Sequence, residues 1–109
     1  MTFAEAFFPA PGAPDALPAL CRRFHVSRLD LFGSAATGHG FDPAHSDLDF
    51  LVAFQPLSPA AYAEAYFGLR EALETLSGRP VDLVTEAALE NPYLRRRVEA
   101  ERRALFRAA

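Results

Sequence analysis

The sequence has little of several features that define common protein classes. It contains a single cysteine, Cys21, so it forms no intrachain disulfide and carries no cysteine-rich metal framework. No hydrophobic run approaches the length that a membrane-spanning helix needs. The first residues also lack the basic and then apolar pattern of a signal peptide. We therefore expect a cytoplasmic protein that binds no membrane.

The chain also lacks an excess of positive charge. Its 11 Lys and Arg residues stand against 14 Asp and Glu residues, which gives a net charge of -3. Direct binding to nucleic acid is not expected, because phosphate contacts require a basic surface. Half of the 109 residues are hydrophobic, which is enough for one folded domain with one core.

Local patterns predict alternating helices and strands. Residues 1–14, rich in Phe and Pro, are expected to form an N-terminal arm, and residues 15–109 a single domain. The expected N-caps of the three main helices are Asp15, Ser58 and Asn91. Helices are predicted at 15–24, about 59–76 and 93 to about 103, and strands at 26–32, 47–54, 81–85 and 105–106. The expected fold class is α/β (or α+β), a small mixed β-sheet with helices packed mainly on one face.

Two aspartates open the second predicted strand. Asp47 and Asp49 project to the same side of it, because side chains at positions i and i+2 share a face. Asp82, in the third strand, joins them if the two strands are neighbours. Carboxylates this close repel each other unless a cation neutralises them. Oxygen ligands suit Mg²⁺, and two such ions can clamp the attacking and leaving oxygens of an in-line displacement.

A Gly-Ser pair follows the first predicted strand. Gly33 allows a sharp turn whose N–H groups, with the Ser34 hydroxyl, can hold phosphates. Ser34 is then a phosphate ligand and not a nucleophile. Taken singly, a Gly-Ser pair is usually a turn, and an isolated Asp-x-Asp is usually a turn, a cap or an exposed pair. Their order along the chain, with a third aspartate in a later strand, favours a metal and nucleotide site.

Four segments together resemble a known family: LFGSAATG (31–38), SDLDFLV (46–52), PVDLV (80–84) and NPYLRRRVEAERRALF (91–106). They are similar to the nucleotidyltransferase fold of the DNA polymerase beta-like superfamily, and the short length is similar to its minimal members, the MNT proteins. The resemblance covers about residues 15–107. It implies that Asp47, Asp49 and Asp82 are the catalytic metal ligands and that Gly33 and Ser34 hold the phosphates.

The same resemblance implies an activity and a partner. The expected enzyme is a Mg²⁺-dependent adenylyltransferase that uses two ions and transfers AMP from ATP to a hydroxyl, with release of pyrophosphate. Many minimal members are antitoxins paired with a HEPN-type ribonuclease toxin, and the acceptor in that family is a tyrosine of the toxin. A cognate HEPN-type toxin is therefore the expected partner protein.

One segment departs from the family pattern. Many relatives carry a basic residue shortly after Gly-Ser, whereas residues 35–38 here are Ala, Ala, Thr and Gly. An arginine would add bidentate phosphate contacts. His39, Arg28 and Arg79 are the candidates to replace it. The arginines of the tail are expected to form a solvated helix face with i,i+4 pairs, or else a docking surface.

Two alternative functions stay open at this stage. The chain could be a degenerate transferase that neutralises its partner by covering it, which the missing basic residue and the aromatic arm favour. It could also be a transferase that acts on a small molecule, although its small size leaves little room to hold such an acceptor. The histidines, His25, His39 and His45, share no metal-binding spacing and are expected on the surface or in loops.

Overall fold

A four-stranded sheet organises the molecule. The structure, a computed structural model, describes residues 13–42 and 46–108. In chain order the elements are α1 (Ala13–Arg23), β1 (Val26–Phe32), α2 (Ser34–Thr37), β2 (Leu48–Phe54), α3 (Pro59–Ser77), β3 (Val81–Thr85), a 3₁₀ helix (Glu86–Glu90), α4 (Pro92–Glu101) and β4 (Arg103–Arg107). The sheet has the strand order β3-β2-β1-β4.

The sheet is mixed, as the sequence predicts. β1 pairs antiparallel with both β2 and β4, and β2 pairs parallel with β3. A parallel pair needs a crossover connection, which α3 supplies between β2 and β3. The predicted α/β class with a small mixed sheet is therefore confirmed.

Helices cover the two faces of the sheet unequally. The helices α1, α2 and α3 pack on one face, where they contribute to the larger hydrophobic core. The helix α4 and the 3₁₀ helix pack on the other face around a smaller core of Phe32, Leu51 and Val98. The helices thus lie mainly on one face, with α4 on the opposite side. No helix in the described part of the chain is long and apolar enough to span a membrane.

Helix ends agree with the predicted caps at two of three places. Ser58 Oγ accepts a hydrogen bond from the Ala61 N–H at 3.2 Å, and Asn91 caps α4. The expected N-cap at Asp15 is wrong, because α1 already begins at Ala13. The fixed φ of proline suits the first turn of a helix, so a start before Pro14 is physically favourable. Most of the predicted arm, residues 1–12, lies outside the described residues.

The last helix ends earlier than predicted. It stops at Glu101 because Arg102 adopts an extended conformation, with φ -63° and ψ 140°. The chain then enters β4, which extends the short terminal strand predicted at 105–106 to Arg103–Arg107. β4 pairs with β1, so the segment that follows α4 is part of the sheet.

A buried carboxylate fastens this C-terminal segment to the centre of the sheet. Asp30 in β1 is 0% exposed. Arg102 Nε donates to its Oδ2 at 2.9 Å, the Arg102 Nη2 contacts the same oxygen, and Arg107 Nη2 lies 2.6 Å from its Oδ1. A charge is buried only when it is paired and hydrogen-bonded, so β1 depends on both arginines. The tail is therefore more than a solvated helix face.

Substitution of Arg102 tests this dependence. Arg102→Ala leaves the Asp30 carboxylate buried with one partner fewer, and we expect it to lower the free energy of unfolding by about 3 kcal/mol. Arg96→Ala, at an exposed position of α4, should change it by about 0.5 kcal/mol or less. Urea unfolding of both variants measures the difference. Equal stability of the two variants would contradict the role given to the ion cluster.

Candidate active site

Two of the predicted aspartates lie side by side in the sheet. Asp49 in β2 and Asp82 in β3 are partners in the parallel register. Their side chains therefore share a face, the one opposite to Leu48 and Phe50, which are buried in the larger core. The sequence predicts this proximity only if the second and third strands are neighbours, and the sheet order meets that condition.

The third aspartate precedes β2. Asp47 lies two positions before Asp49, and its charge acts on the Asp49 carboxyl. Asp47 and Asp82 are exposed, whereas the Asp49 side chain is only 21% exposed. The three carboxylates thus differ in environment, with Asp49 set inside the site and the other two toward solvent.

The aspartates do not form a closed metal cage by themselves. Within residues 13–42 and 46–108, no three His, Cys, Asp or Glu side chains converge closely enough to hold an ion. Mg²⁺, however, usually takes one or two protein carboxylates and completes its shell with water and substrate phosphates. Oxygen donors from adjacent strands, with two of them open to solvent, fit an ion that is held jointly with a nucleotide.

The Gly33 turn packs directly against Asp49. β1 ends at Phe32, which is the register partner of Asp49. Gly33 has φ +75°, and a Cβ built on it would collide with Asp49 Oδ2. With ψ at -159°, Gly33 lies in a backbone region that essentially only glycine occupies, and the missing Cβ permits the close approach. Ser34 follows as the first, half-buried residue of α2, so the predicted phosphate turn and the aspartates are neighbours.

Two residues of α4 complete this neighbourhood. Glu101 Oε1 accepts hydrogen bonds from the Gly33 N–H at 3.1 Å and from Arg97 Nε at 3.2 Å. Arg97 Nη2 lies 3.8 Å from Asp49 Oδ2. The guanidinium of Arg97 also lies over the Phe32 ring, 5.6 Å from its centroid. The turn, the aspartate and α4 are thus joined by one polar network.

Sequence reasoning missed the role of these two residues. The predicted i,i+4 pairing in the tail is confirmed by Arg97 and Glu101. Their spacing alone indicates an exposed pair on a helix surface. Only the packing of α4 against the end of β1 brings the pair to Gly33, and no local pattern in the sequence encodes that packing.

The candidates proposed to replace the missing basic residue differ in their surroundings. Arg28 pairs with Glu86 at 2.7 Å, and Arg79 lies over the Phe41 ring. His39 is exposed in the loop after α2, and His45 lies outside the described residues. The residue that pairs with Asp49 is Arg97.

Burial and neighbouring charges perturb Asp49. Burial raises the pKa of its carboxyl most strongly, the Arg97 charge opposes this rise, and the carboxylates of Asp82, Asp47 and Glu101 add to it. The ionised form of Asp49 is therefore unfavourable in the protein alone. A cation bound at this place relieves both the burial penalty and the repulsion.

Comparison with known proteins identifies the family. Residues 14–105 match the family model of the nucleotidyltransferase domain. The chain belongs to this family. A nucleotidyltransferase fold and a nucleotidyltransferase enzyme, both predicted from the sequence, are thereby confirmed.

Individual relatives agree with this nucleotidyltransferase assignment. A "putative protein adenylyltransferase" of Methanocaldococcus jannaschii is 34% identical over 79 residues, which cover 72% of this chain and 76% of the relative. A solved "putative minimal nucleotidyltransferase" is 36% identical, with a TM-score of 0.62 over 87% of this chain and 91% of the other.

More distant structures share the fold. A toxin–antitoxin complex with AMP-PNP is 24% identical, with a TM-score of 0.59 over 87% of this chain and 73% of the other. A tri-AMPylated HEPN toxin of Shewanella oneidensis in complex with its MNT antitoxin gives 22% identity and a TM-score of 0.56, over 88% of this chain and 71% of the other.

Alanine substitution at Gly33, compared with the same substitution at Gly38, tests the close approach of Gly33 to Asp49. Both glycines have positive φ, but a Cβ at Gly38 meets nothing within 4 Å. Gly38→Ala should therefore cost only the backbone strain, about 1–2 kcal/mol. Gly33→Ala should cost more for two reasons: its ψ of -159° is disfavoured for any residue but glycine, and the new methyl group displaces the Asp49 carboxylate. Urea unfolding measures both costs, and equal values for the two variants would refute the steric role of Gly33.

The raised pKa of Asp49 predicts a pH-dependent gain in stability on its removal. The folded state favours the protonated carboxyl, so ionisation destabilises the fold as pH rises through the folded pKa. Without divalent cations, Asp49→Asn should unfold at a higher temperature than the wild type at neutral pH. The gap should narrow as pH falls and the wild-type carboxyl becomes protonated.

Thermal unfolding over a series of pH values checks this prediction. Glu99→Gln removes an exposed carboxylate from α4 and serves as the control, with little change expected. A lower unfolding temperature of Asp49→Asn at neutral pH would show that the Arg97 pair outweighs burial and repulsion.

Proposed function

We propose that this nucleotidyltransferase is a Mg²⁺-dependent adenylyltransferase that modifies a hydroxyl of a partner protein, with tyrosine as the expected acceptor. The observation that carries the proposal is the register that places Asp49 beside Asp82, next to the Gly33 turn. Carboxylates that bind metal and a turn that binds phosphate are thus neighbours. The relative from Methanocaldococcus jannaschii, named for the same activity, supports it.

The reaction replaces the phosphoanhydride bond between the α- and β-phosphates of ATP with a phosphoester bond to the acceptor. The acceptor oxygen bonds to the α-phosphorus of ATP, the bond from that phosphorus to the bridging oxygen breaks, and pyrophosphate leaves with the bond electrons. The proton of the acceptor hydroxyl passes to a carboxylate. Asp82 is suited to receive it, because it is exposed and lies beside Asp49.

The other site residues hold and orient the nucleotide. Asp49 and Asp47 would hold Mg²⁺, and Asp82 would be the third carboxylate ligand. Bound Mg²⁺ neutralises charge on the phosphates and on the leaving pyrophosphate. Gly33 and Ser34 together form the turn that holds the terminal phosphates. The Ser34 hydroxyl is the donor, because the Gly33 N–H already donates to Glu101. These roles use oxygen and N–H groups that the structure places in one neighbourhood.

A cognate HEPN-type toxin is the partner that we propose. Two structures with this fold are toxin–antitoxin complexes, and in one of them the HEPN toxin carries AMP. In that setting the chain is the antitoxin, and its modification of the toxin is the neutralising reaction. We place the reaction in the cytoplasm, where ATP and Mg²⁺ are abundant.

The test is AMP transfer to a toxin encoded beside this protein. The wild type, Mg²⁺ and ATP should convert the toxin to an AMP adduct, visible by intact-mass spectrometry and mapped to tyrosine by peptide fragmentation. Asp49→Asn should reduce the rate by at least about a thousandfold, because removal of a metal ligand removes transition-state charge stabilisation. Glu99→Gln should retain the wild-type rate.

Three outcomes would overturn the proposal. Absence of an adduct with the wild type on the toxin would exclude protein adenylylation of that partner. Full neutralisation of the toxin by Asp49→Asn at normal expression would favour the alternative that the antitoxin acts by covering its partner. A small-molecule acceptor would be indicated by AMP transfer to an aminoglycoside in place of the toxin.

A further inference from the structure

We propose that Arg97 contacts the terminal phosphates of the nucleotide and so supplies from α4 the cation that the segment after Gly33-Ser34 lacks. This inference rests on the proposed use of ATP at the same site. Arg97 lies 63 positions after Ser34 in the sequence, counted as 97 minus 34. The fold, and not a local motif, brings it there.

The position of the guanidinium carries the proposal. Arg97 Nη2 lies 3.1 Å from the place where a Cβ of Gly33 would stand, so it is in contact range of the turn proposed to hold phosphate. The same nitrogen lies 3.8 Å from Asp49 Oδ2. A group bound at the surface where the turn and Asp49 meet therefore contacts this nitrogen. A triphosphate with its metal occupies that place in the proposed reaction.

The hydrogen-bonding state of Arg97 leaves donors for a ligand. Its Nε donates to Glu101 at 3.2 Å. The separation of 3.8 Å from Nη2 to Asp49 is an ion pair, but it is longer than a hydrogen bond. An arginine has five N–H donors in a planar fork that suits phosphate oxygens. The side chain is 51% exposed, so a ligand reaches it from solvent.

The surroundings of Arg97 fix its orientation. Glu101 accepts from both Arg97 Nε and the Gly33 N–H, so the guanidinium and the turn share one anchor. The Phe32 ring supports the face of the guanidinium. Arg102 ties the end of α4 to buried Asp30. Glu101 is thus a positioning residue, which holds Arg97 through Nε while Nη2 stays directed at the site.

Simple neutralisation of Asp49 is the alternative role for Arg97, and the two roles differ in their effect on nucleotide binding. Asp47, Asp49, Asp82 and Glu101 all act within one neighbourhood, and a triphosphate adds further negative charge. If Arg97 served only to neutralise Asp49, its loss would weaken every nucleotide equally through the metal. If it contacts the terminal phosphates, its loss weakens ATP and spares AMP, which lacks those phosphates.

Equilibrium binding separates these roles. Titration calorimetry with MgATP, AMP and inorganic pyrophosphate, each with Mg²⁺, is run on the wild type, Arg97→Ala, Arg97→Lys and the control Arg96→Ala. Arg97→Ala should weaken MgATP and pyrophosphate by about tenfold or more, because it removes charge-assisted hydrogen bonds, and should leave AMP within about twofold. Arg97→Lys should recover part of the loss, and Arg96→Ala should match the wild type.

Other results would overturn the proposal. Equal weakening of ATP and AMP by Arg97→Ala would assign Arg97 to the metal site alone, and unchanged ATP binding would exclude any phosphate contact. Arg97→Lys keeps the charge and the long side chain, so it carries the test if Arg97→Ala does not fold. If Arg97→Lys binds MgATP as tightly as the wild type, the proposal is overturned, because a lysine cannot reproduce the bidentate contact of arginine.

The outcome is separable from that of the proposed function. Wild-type protein that binds MgATP with Arg97 dependence, yet transfers no AMP to the toxin, would refute the proposed reaction and retain the phosphate contact. Wild-type protein that transfers AMP, with a KM for ATP unchanged in Arg97→Ala, would refute the phosphate contact and retain the reaction.

Discussion

The contact between the Asp49 carboxylate and the backbone of Gly33 is the constraint on which the site depends. It joins the end of one strand to the start of the neighbouring strand, because Phe32 and Asp49 are register partners. A side chain at Gly33 would break the contact. The same register, continued into β3, sets Asp82 beside Asp49. A slip of one residue would turn Asp49 into the hydrophobic core and leave no site.

The fold places Asp49 where its charged form is unfavourable, and two other groups offset this cost. Asp49 is disfavoured in its charged form by burial and by three nearby carboxylates, and Arg97 offsets part of this cost. A bound cation offsets the rest of this cost, and it binds more tightly because the carboxylate oxygens are already arranged around it. An apo protein of lower stability and a tighter metal–nucleotide complex are two aspects of the same arrangement. Sites of this kind trade stability for binding.

Local sequence patterns predict those site residues that lie together in one short segment of the chain. The Gly-Ser turn and Asp47/Asp49 each lie in one continuous motif, and strand alternation gives their direction. Asp82 needs the additional condition that β3 neighbours β2. The roles of Arg97 and Glu101 cannot be predicted from the sequence, because an i,i+4 pair on a polar helix has the same pattern whether it faces solvent or a site.

The fold itself was predictable to a similar depth. Hydrophobic alternation and the caps at Ser58 and Asn91 predict most elements. The first helix, predicted to start at Asp15, begins at Ala13. Strand patterning alone does not reveal that Asp30 is buried. Its burial depends on the pairing of β4 with β1 and on contacts with Arg102 and Arg107, which are tertiary properties.

The residues of the Asp30 ion cluster are synthesised at very different times. β1 leaves the ribosome early, with a carboxylate that the finished sheet buries completely. The arginines that neutralise it, at positions 102 and 107, are made more than 70 residues later, as 102 minus 30 is 72. Until then the partner strand β4 is missing beside β1, and water can solvate the Asp30 carboxylate. The buried ion cluster can therefore form only after the strand that follows α4 has been made.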